Sequence, residues 1–254
     1  MIKPFLSVLL ALVGSVALAA GPGPKLLNAG TNISDRASLQ RGAQLYFNYC
    51  ASCHSLQYMR YSRLAEDLGL SEDQVMKYLN FTGAKFGDTI KANMPVGTGD
   101  AAYGGEDWFG KAPPDLSLVA RARNDGPNWI YTYLLSFYPD PTRPVGWNNT
   151  VFPNASMPHV MWDLQGVQVL VQPEDGEAQG DGHSGGPTFE LIKEGTRTPE
   201  QYRQDARDVA TFLEYVGEPA ALQRERYGLW VLLYLLLFTG VAYLLKHEYW
   251  KDVH

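Results

Sequence analysis

The stretch NYCASCHS, residues 48–55, holds the only two cysteines of a 254-residue chain, Cys50 and Cys53, with His54 directly after the second. No other short stretch constrains the fold as strongly. A disulfide spanning so few residues would restrict the unfolded chain little. A structural zinc site needs four protein ligands, usually with a second ligand pair, and there is no third cysteine. Thiol-redox chemistry uses the CxxC spacing but does not ask for the histidine. On a helix, positions 50, 53 and 54 share one face, because residues three and four apart are neighbours. Two thiols there can form thioethers with the vinyl groups of a haem while the adjacent imidazole reaches the iron, which is the attachment logic of CxxCH. The cofactor expected is one covalently bound haem c.

An iron held by His54 needs a sixth ligand if its task is electron transfer, and methionine is the usual choice where a high potential is wanted. Met59 and Met76 follow closely in stretches that read as helix, so both read as packing. Met94 in KANMPVG and Met157 in FPNASMPHVMW each precede a proline, which disfavours helix and removes a backbone donor. Rigid loops of that kind can hold a ligand. On chemistry alone Met157, Met94 and Met161 stay open, with His159 as a bis-histidine alternative.

Two apolar blocks set the topology. The first, MIKPFLSVLLALVGSVALAA, has Lys3 as a short positive region, an apolar run from Phe5 and a small-residue pattern at Ala17–Ala19. It reads as a secretory signal peptide, residues 1–19. The second, Gly228 to Leu245, has eighteen residues without a charge, which at roughly 1.5 Å per residue nearly spans a hydrocarbon core of roughly 30 Å. Trp230 and Tyr243 sit where interfacial rings are favoured, and Arg224, Arg226 and Lys246 lie just outside. The expected division is an exported haem domain over 20–223, an anchor over 224–246 and a cytoplasmic tail over 247–254. A formal net charge of -6 argues against nucleic acid and suits a basic protein partner.

Between the blocks the pattern is mainly α. SLQRGAQLYFNY reads as a helix from Ser38, Ser71 caps a second, and the glycine-rich stretch from Asn80 to Ala112 reads as a long loop. In APPDLSLVARAR, Pro113 and Pro114 give an extended corner and Asp115 a cap for a helix bearing Arg121 and Arg123. Those arginines suit either a solvated face or the propionates of a haem. GPNWIYTYLLSFY reads as a helix burying Trp129, Ile130, Tyr133 and Leu134, followed by a loop from Pro139 to Pro158. GVQVLVQ and PTFELI suggest a β-hairpin with an acidic tip that contains His183. Thr198 caps a strong helix with Pro199 in its first turn, closed by Gly217.

RGAQLYFNYCASCHSLQYMRYSRL, APPDLSLVARAR, FPNASMPHVMW and ATFLEYVGEP, in that order before an apolar anchor, closely resemble the cytochrome c1 family, the haem subunits of the quinol to cytochrome c oxidoreductase known as the bc1 complex. The resemblance covers about residues 36 to 250 and implies a class I cytochrome c-like haem domain with elaborated loops, a small hairpin and one C-terminal transmembrane helix. It implies thioethers at Cys50 and Cys53, His54 as proximal ligand and Met157 as distal ligand. Met161 remains a minor alternative, since the second methionine departs from the family pattern. It also implies a propionate contact from Arg123, or second from Arg121. Pro113 and Pro114 would lie beside the haem with a carbonyl accepting from His54, and Trp129 near a propionate. The partners implied are cytochrome b and a Rieske iron-sulfur protein in a dimeric complex, a soluble cytochrome c as acceptor, and membrane lipid.

The expected role is a one-electron relay at the outer face of a bacterial inner membrane, in which the chain needs no general acid, base or nucleophile of its own. The acidic pairs Glu66/Asp67, Glu72/Asp73 and Glu106/Asp107 are candidates to dock a basic partner. A membrane-anchored monohaem shuttle feeding a terminal oxidase is the nearest rival, and a module whose CxxC is a disulfide or thiol-redox site is the rival of another class.

Overall fold

A computed structural model describes residues 24–94, 109–171 and 188–251. Residues 1–19, read from the sequence as a signal peptide, the Glu106/Asp107 pair and His183 lie outside them. Helix α1 (Arg36–Tyr49) starts two residues before Ser38, because Asp35 takes the cap and accepts from the amides of Ala37 and Ser38. It is followed by β1 (Leu56–Arg60), α2 (Tyr61–Leu68), α3 (Glu72–Tyr78) and β2 (Thr89–Ile90), which pairs antiparallel with β1. Ser71 and Gln74 close a capping box on α3, as the sequence predicts. Met59 departs from its helical reading. It lies on β1 and is buried in the core, because the extended chain after His54 pairs with β2 instead of continuing as helix.

Helix α4 (Val119–Ala122) is a single turn and begins later than expected. Asp115 does not cap it: its carboxylate accepts from the amides of Ser117 and Gln57 and so ties this corner to β1. Arg121 stays on the short helix, while Arg123 is its extended C-cap. Helix α5 (Gly126–Leu135) buries Ile130, Tyr133 and Leu134 and leaves Trp129 half-buried. The presumed loop after Pro139 contains a strand: β3 (Phe137–Pro139) pairs with β4 (Trp147–Asn149). Asn149 holds that turn together, giving its Nδ2 hydrogen to the Tyr133 carbonyl and accepting at Oδ1 from Val151. The short α6 (Trp162–Gln165) leads into β5 (Gly166–Val171), which pairs with β6 (Thr188–Glu194) as the predicted hairpin.

Helix α7 (Pro199–Gly217) carries the Thr198 capping box and the apolar stripe read from the sequence. It packs across α1 at Gly42, where an added Cβ would come within 2.1 Å of the Asp208 carbonyl oxygen. Tyr46 meets Phe212 there with ring centres 5.5 Å apart. Beneath this crossing the buried Asp208 carboxylate accepts from Ser38 Oγ at 2.6 Å, Arg41 Nε at 2.6 Å and Gln204 Nε2 at 2.9 Å, so both oxygens removed from water find a donor. The Tyr202 hydroxyl ties α7 to α5 through the Leu134 carbonyl. A smaller cluster of Tyr133, Phe137 and Val151, flanked by Trp129, Trp147 and Met157, sits beside the main core. Helix α8 (Ala221–Tyr249) leaves the domain with its large apolar side chains from Leu229 to Leu245 exposed, and Tyr227–Tyr249 is long and apolar enough to cross a membrane.

Candidate haem-attachment site

The sequence places Cys50, Cys53 and His54 on one helical face, but α1 ends at Tyr49 and the motif occupies the turn that follows. The intended neighbourhood survives, because the His54 amide still donates to the Cys50 carbonyl at 2.8 Å and Cys53 donates to the same oxygen at 3.0 Å. Two outside segments, Ala92–Met94 and the stretch at Leu116, clamp that turn. Met94 donates its amide to Ser52, Ala92 donates to Ser55 Oγ, and Leu116 donates to the Ser55 carbonyl. The Tyr46 hydroxyl donates to the His54 carbonyl at 2.6 Å.

Cys50 is buried and Cys53 is half-buried, and no disulfide joins them. Burial, with the neighbouring Cys53 second, pushes the Cys50 thiol up to about 12, so it carries no thiolate at neutral pH of the kind a redox cysteine uses. The His54 imidazole has Nδ1 2.7 Å from the Pro114 carbonyl oxygen. A carbonyl can only accept, so that nitrogen holds the hydrogen and Nε2 keeps its lone pair free. Burial lowers the imidazole pKa, opposed by the Pro114 bond. Neutral form, fixed tautomer and fixed ring direction are what a histidine ligand needs.

From Pro114 the chain runs through α4 to Arg123 and on into α5. Arg123 lies with its guanidinium 4.5 Å from the Trp129 ring centre and 5.2 Å from that of Phe152. Arg121 goes elsewhere: its stem lies against Gly217 at the end of α7. Trp129 stacks on Tyr133, and the Tyr133 hydroxyl donates to the Met157 sulfur at 3.5 Å. Met157 is half-buried against the cluster of Tyr133, Phe137 and Val151. Met161 is fully enclosed in the main core at the start of α6. His159 is 2% exposed, stacked on Phe137 with ring centres 4.8 Å apart, and held down to about 4 by burial. Met94 has its backbone on the cysteine turn itself.

This donor set fits a haem: two unpaired thiols, a neutral imidazole with Nε2 free, a thioether in an aromatic pocket, and apolar Leu118 and Phe152 left 43% exposed. Sequence reasoning missed Tyr133 and Phe152 as site residues. Tyr133 could have been found, since it lies four residues after Trp129 and therefore on the same helical face. Of the acidic pairs, Glu72 and Asp73 are exposed. Asp67 is engaged instead, accepting from Arg63 Nε and from the Tyr215 hydroxyl.

A mainly helical domain with a CxxCH turn, a carbonyl-anchored histidine, a half-buried thioether against an aromatic cluster and one apolar C-terminal helix defines a membrane-anchored c-type cytochrome. Residues 28–180 and 188–253 match the family described as Cytochrome C1 family, and the chain belongs to that family. It is 49% identical over 255 residues to "Cytochrome c1" of Allochromatium vinosum, covering 99% of each chain. It is 42% identical over 254 residues to "Ammonia monooxygenase gamma subunit" of Nitrosomonas europaea, covering 100% of this chain and 99% of that one. It is also 31% identical over 242 residues to "Cytochrome b-c1 complex catalytic subunit, mitochondrial" of Candida albicans, covering 86% and 73% respectively. As a family member it carries one covalent haem c and serves as an electron-transfer subunit.

Proposed function

We propose that this chain is the haem subunit of a quinol to cytochrome c oxidoreductase, taking one electron at a time from a Rieske iron-sulfur protein and passing it to a soluble cytochrome c. The observation that carries the reading is the contact of His54 Nδ1 with the Pro114 carbonyl at 2.7 Å, directly after the only cysteine pair. Cys50 and Cys53 would anchor the ring covalently, and His54 Nε2 and the Met157 sulfur would hold its iron. The bound haem supplies the one-electron couple. The soft Met157 thioether favours the ferrous state, and so a high potential. Arg123, steadied on Trp129, is placed to pair with a propionate in preference to Arg121. Pro113 and Pro114 hold the proximal wall.

The domain stands on the periplasmic face of a bacterial inner membrane, with the residues beyond the anchor in the cytoplasm, cytochrome b beside the anchor and a second copy of the complex completing a dimer. Purification through a C-terminal tag tests this. It should recover a cytochrome b and a Rieske protein, with a covalent haem signal on this chain and a ferrous α-band. Recovery of the chain alone, or with the subunits of a monooxygenase, would overturn it.

A further inference from the structure

Arg123, Trp129, Tyr133 and Met157 form one continuous ladder. The guanidinium lies over Trp129, whose ring stacks on Tyr133 at 4.9 Å and 10°, and the Tyr133 hydroxyl donates to the Met157 sulfur at 3.5 Å. Phe137 meets the same tyrosine ring edge-on at 4.9 Å and 68°. The phenol is thus fixed on both sides, 9% exposed, and among the described residues its hydroxyl has no partner other than that sulfur. A buried tyrosine hydroxyl ordinarily finds an acceptor, and a thioether is a weak one, so the pairing is imposed by packing. A thioether sulfur carries two lone pairs. One accepts from Tyr133 and the other remains for a metal.

We infer that Tyr133 is a positioning residue for the axial sulfur: its hydroxyl fixes the Met157 side chain and, by drawing electron density from the sulfur, raises the reduction potential of the iron. This rests on Met157 being the distal ligand. A donor aimed at the ligand weakens its donation to ferric iron more than to ferrous iron, so the reduced state is favoured. The loss of one such bond should shift the ferrous-to-ferric ratio at fixed poise by about three- to tenfold toward ferric.

The experiment is a redox titration of the purified complex carrying Tyr133→Phe, with Met157→Leu titrated in parallel. Tyr133→Phe keeps the ring stack, so the iron–sulfur charge-transfer band and closure to carbon monoxide should persist while the potential falls. A second variant, with 3-fluorotyrosine incorporated at position 133, keeps every contact and strengthens the donor. It should move the potential upward, and it carries the test if Tyr133→Phe fails to assemble. An unchanged potential in both overturns the proposal. Persistence of the charge-transfer band in Met157→Leu is a different result: it removes the ligand assignment itself, and the role of Tyr133 with it.

Discussion

Met157 offers a half-buried sulfur that already accepts a hydrogen bond, whereas Met161, four residues on, is enclosed in the main core with 0% exposure. The two should therefore fail in different ways. Met157→Leu should lower the potential sharply and open the iron to carbon monoxide, read from the reduced spectrum with and without the gas. Met161→Ala should keep the axial ligand and lose about 2–5 kcal/mol of stability to the cavity left behind, read from denaturant unfolding. The reverse pattern would transfer the ligand assignment to Met161. The two arginines separate by the same logic. A positive charge near the ring disfavours ferric iron, so Arg123→Gln should lower the potential. The effect should be small, at most about 1 kcal/mol, because the guanidinium is solvent-exposed and screened. Arg121→Gln, with its stem on Gly217, should leave the redox titration where it was.

At the scale of elements, the crossing of α1 and α7 decides whether the cysteine turn is held where α1 ends. Gly42 is the contact point, since a methyl there would stand 2.1 Å from a backbone oxygen that cannot move without shifting α7. Gly42→Ala should cost at least about 2 kcal/mol by overpacking, visible as a lower denaturation midpoint. Gly87→Ala, with nothing within 4 Å of the added Cβ, should lie within about 0.5 kcal/mol of the parent; equal losses at both positions would argue against the close approach. Much of this level was legible beforehand, for physical reasons. The Ser71 and Thr198 caps, the apolar stripe of α7 and the β5–β6 hairpin are local signals, written within a few residues of where they act. Asp115, β4 and Met59 were misread because their structures depend on distant partners: Gln57 for the carboxylate, β3 for the strand and β2 for the methionine segment. CxxCH marked the proposed attachment residues at once, since one short motif holds both thiols and the imidazole. The pairing of Tyr133 with Met157 was not legible, because it joins residues separated by 24 positions across two elements.

For the molecule as a whole, the haem domain and the anchor are joined by a short link that contributes little to the core. Within α8, Ala221 is buried and Leu222 packs partly against the main cluster, while from Leu229 to Leu245 the large apolar residues are exposed. The stability of the domain then comes from α1, α5 and α7, and the anchor adds an address in the membrane without adding to the fold. The Glu218–Arg224 ion pair at the junction does not change this, since exposed pairs contribute about 0–1 kcal/mol. A chain ending after Gln223 should consequently be recovered in the soluble fraction with its covalent haem and an unchanged reduced spectrum. It should melt within about 2 °C of the full-length protein in detergent, as expected when no core contact is lost. It should also fail to recover cytochrome b, because the apolar surface from Tyr227 to Tyr249 is the part of the chain able to pack inside the bilayer. A truncated product that aggregates or lacks haem would show instead that α8 belongs to the folding unit, and a truncated product that still recovers cytochrome b would place their contact on the haem domain.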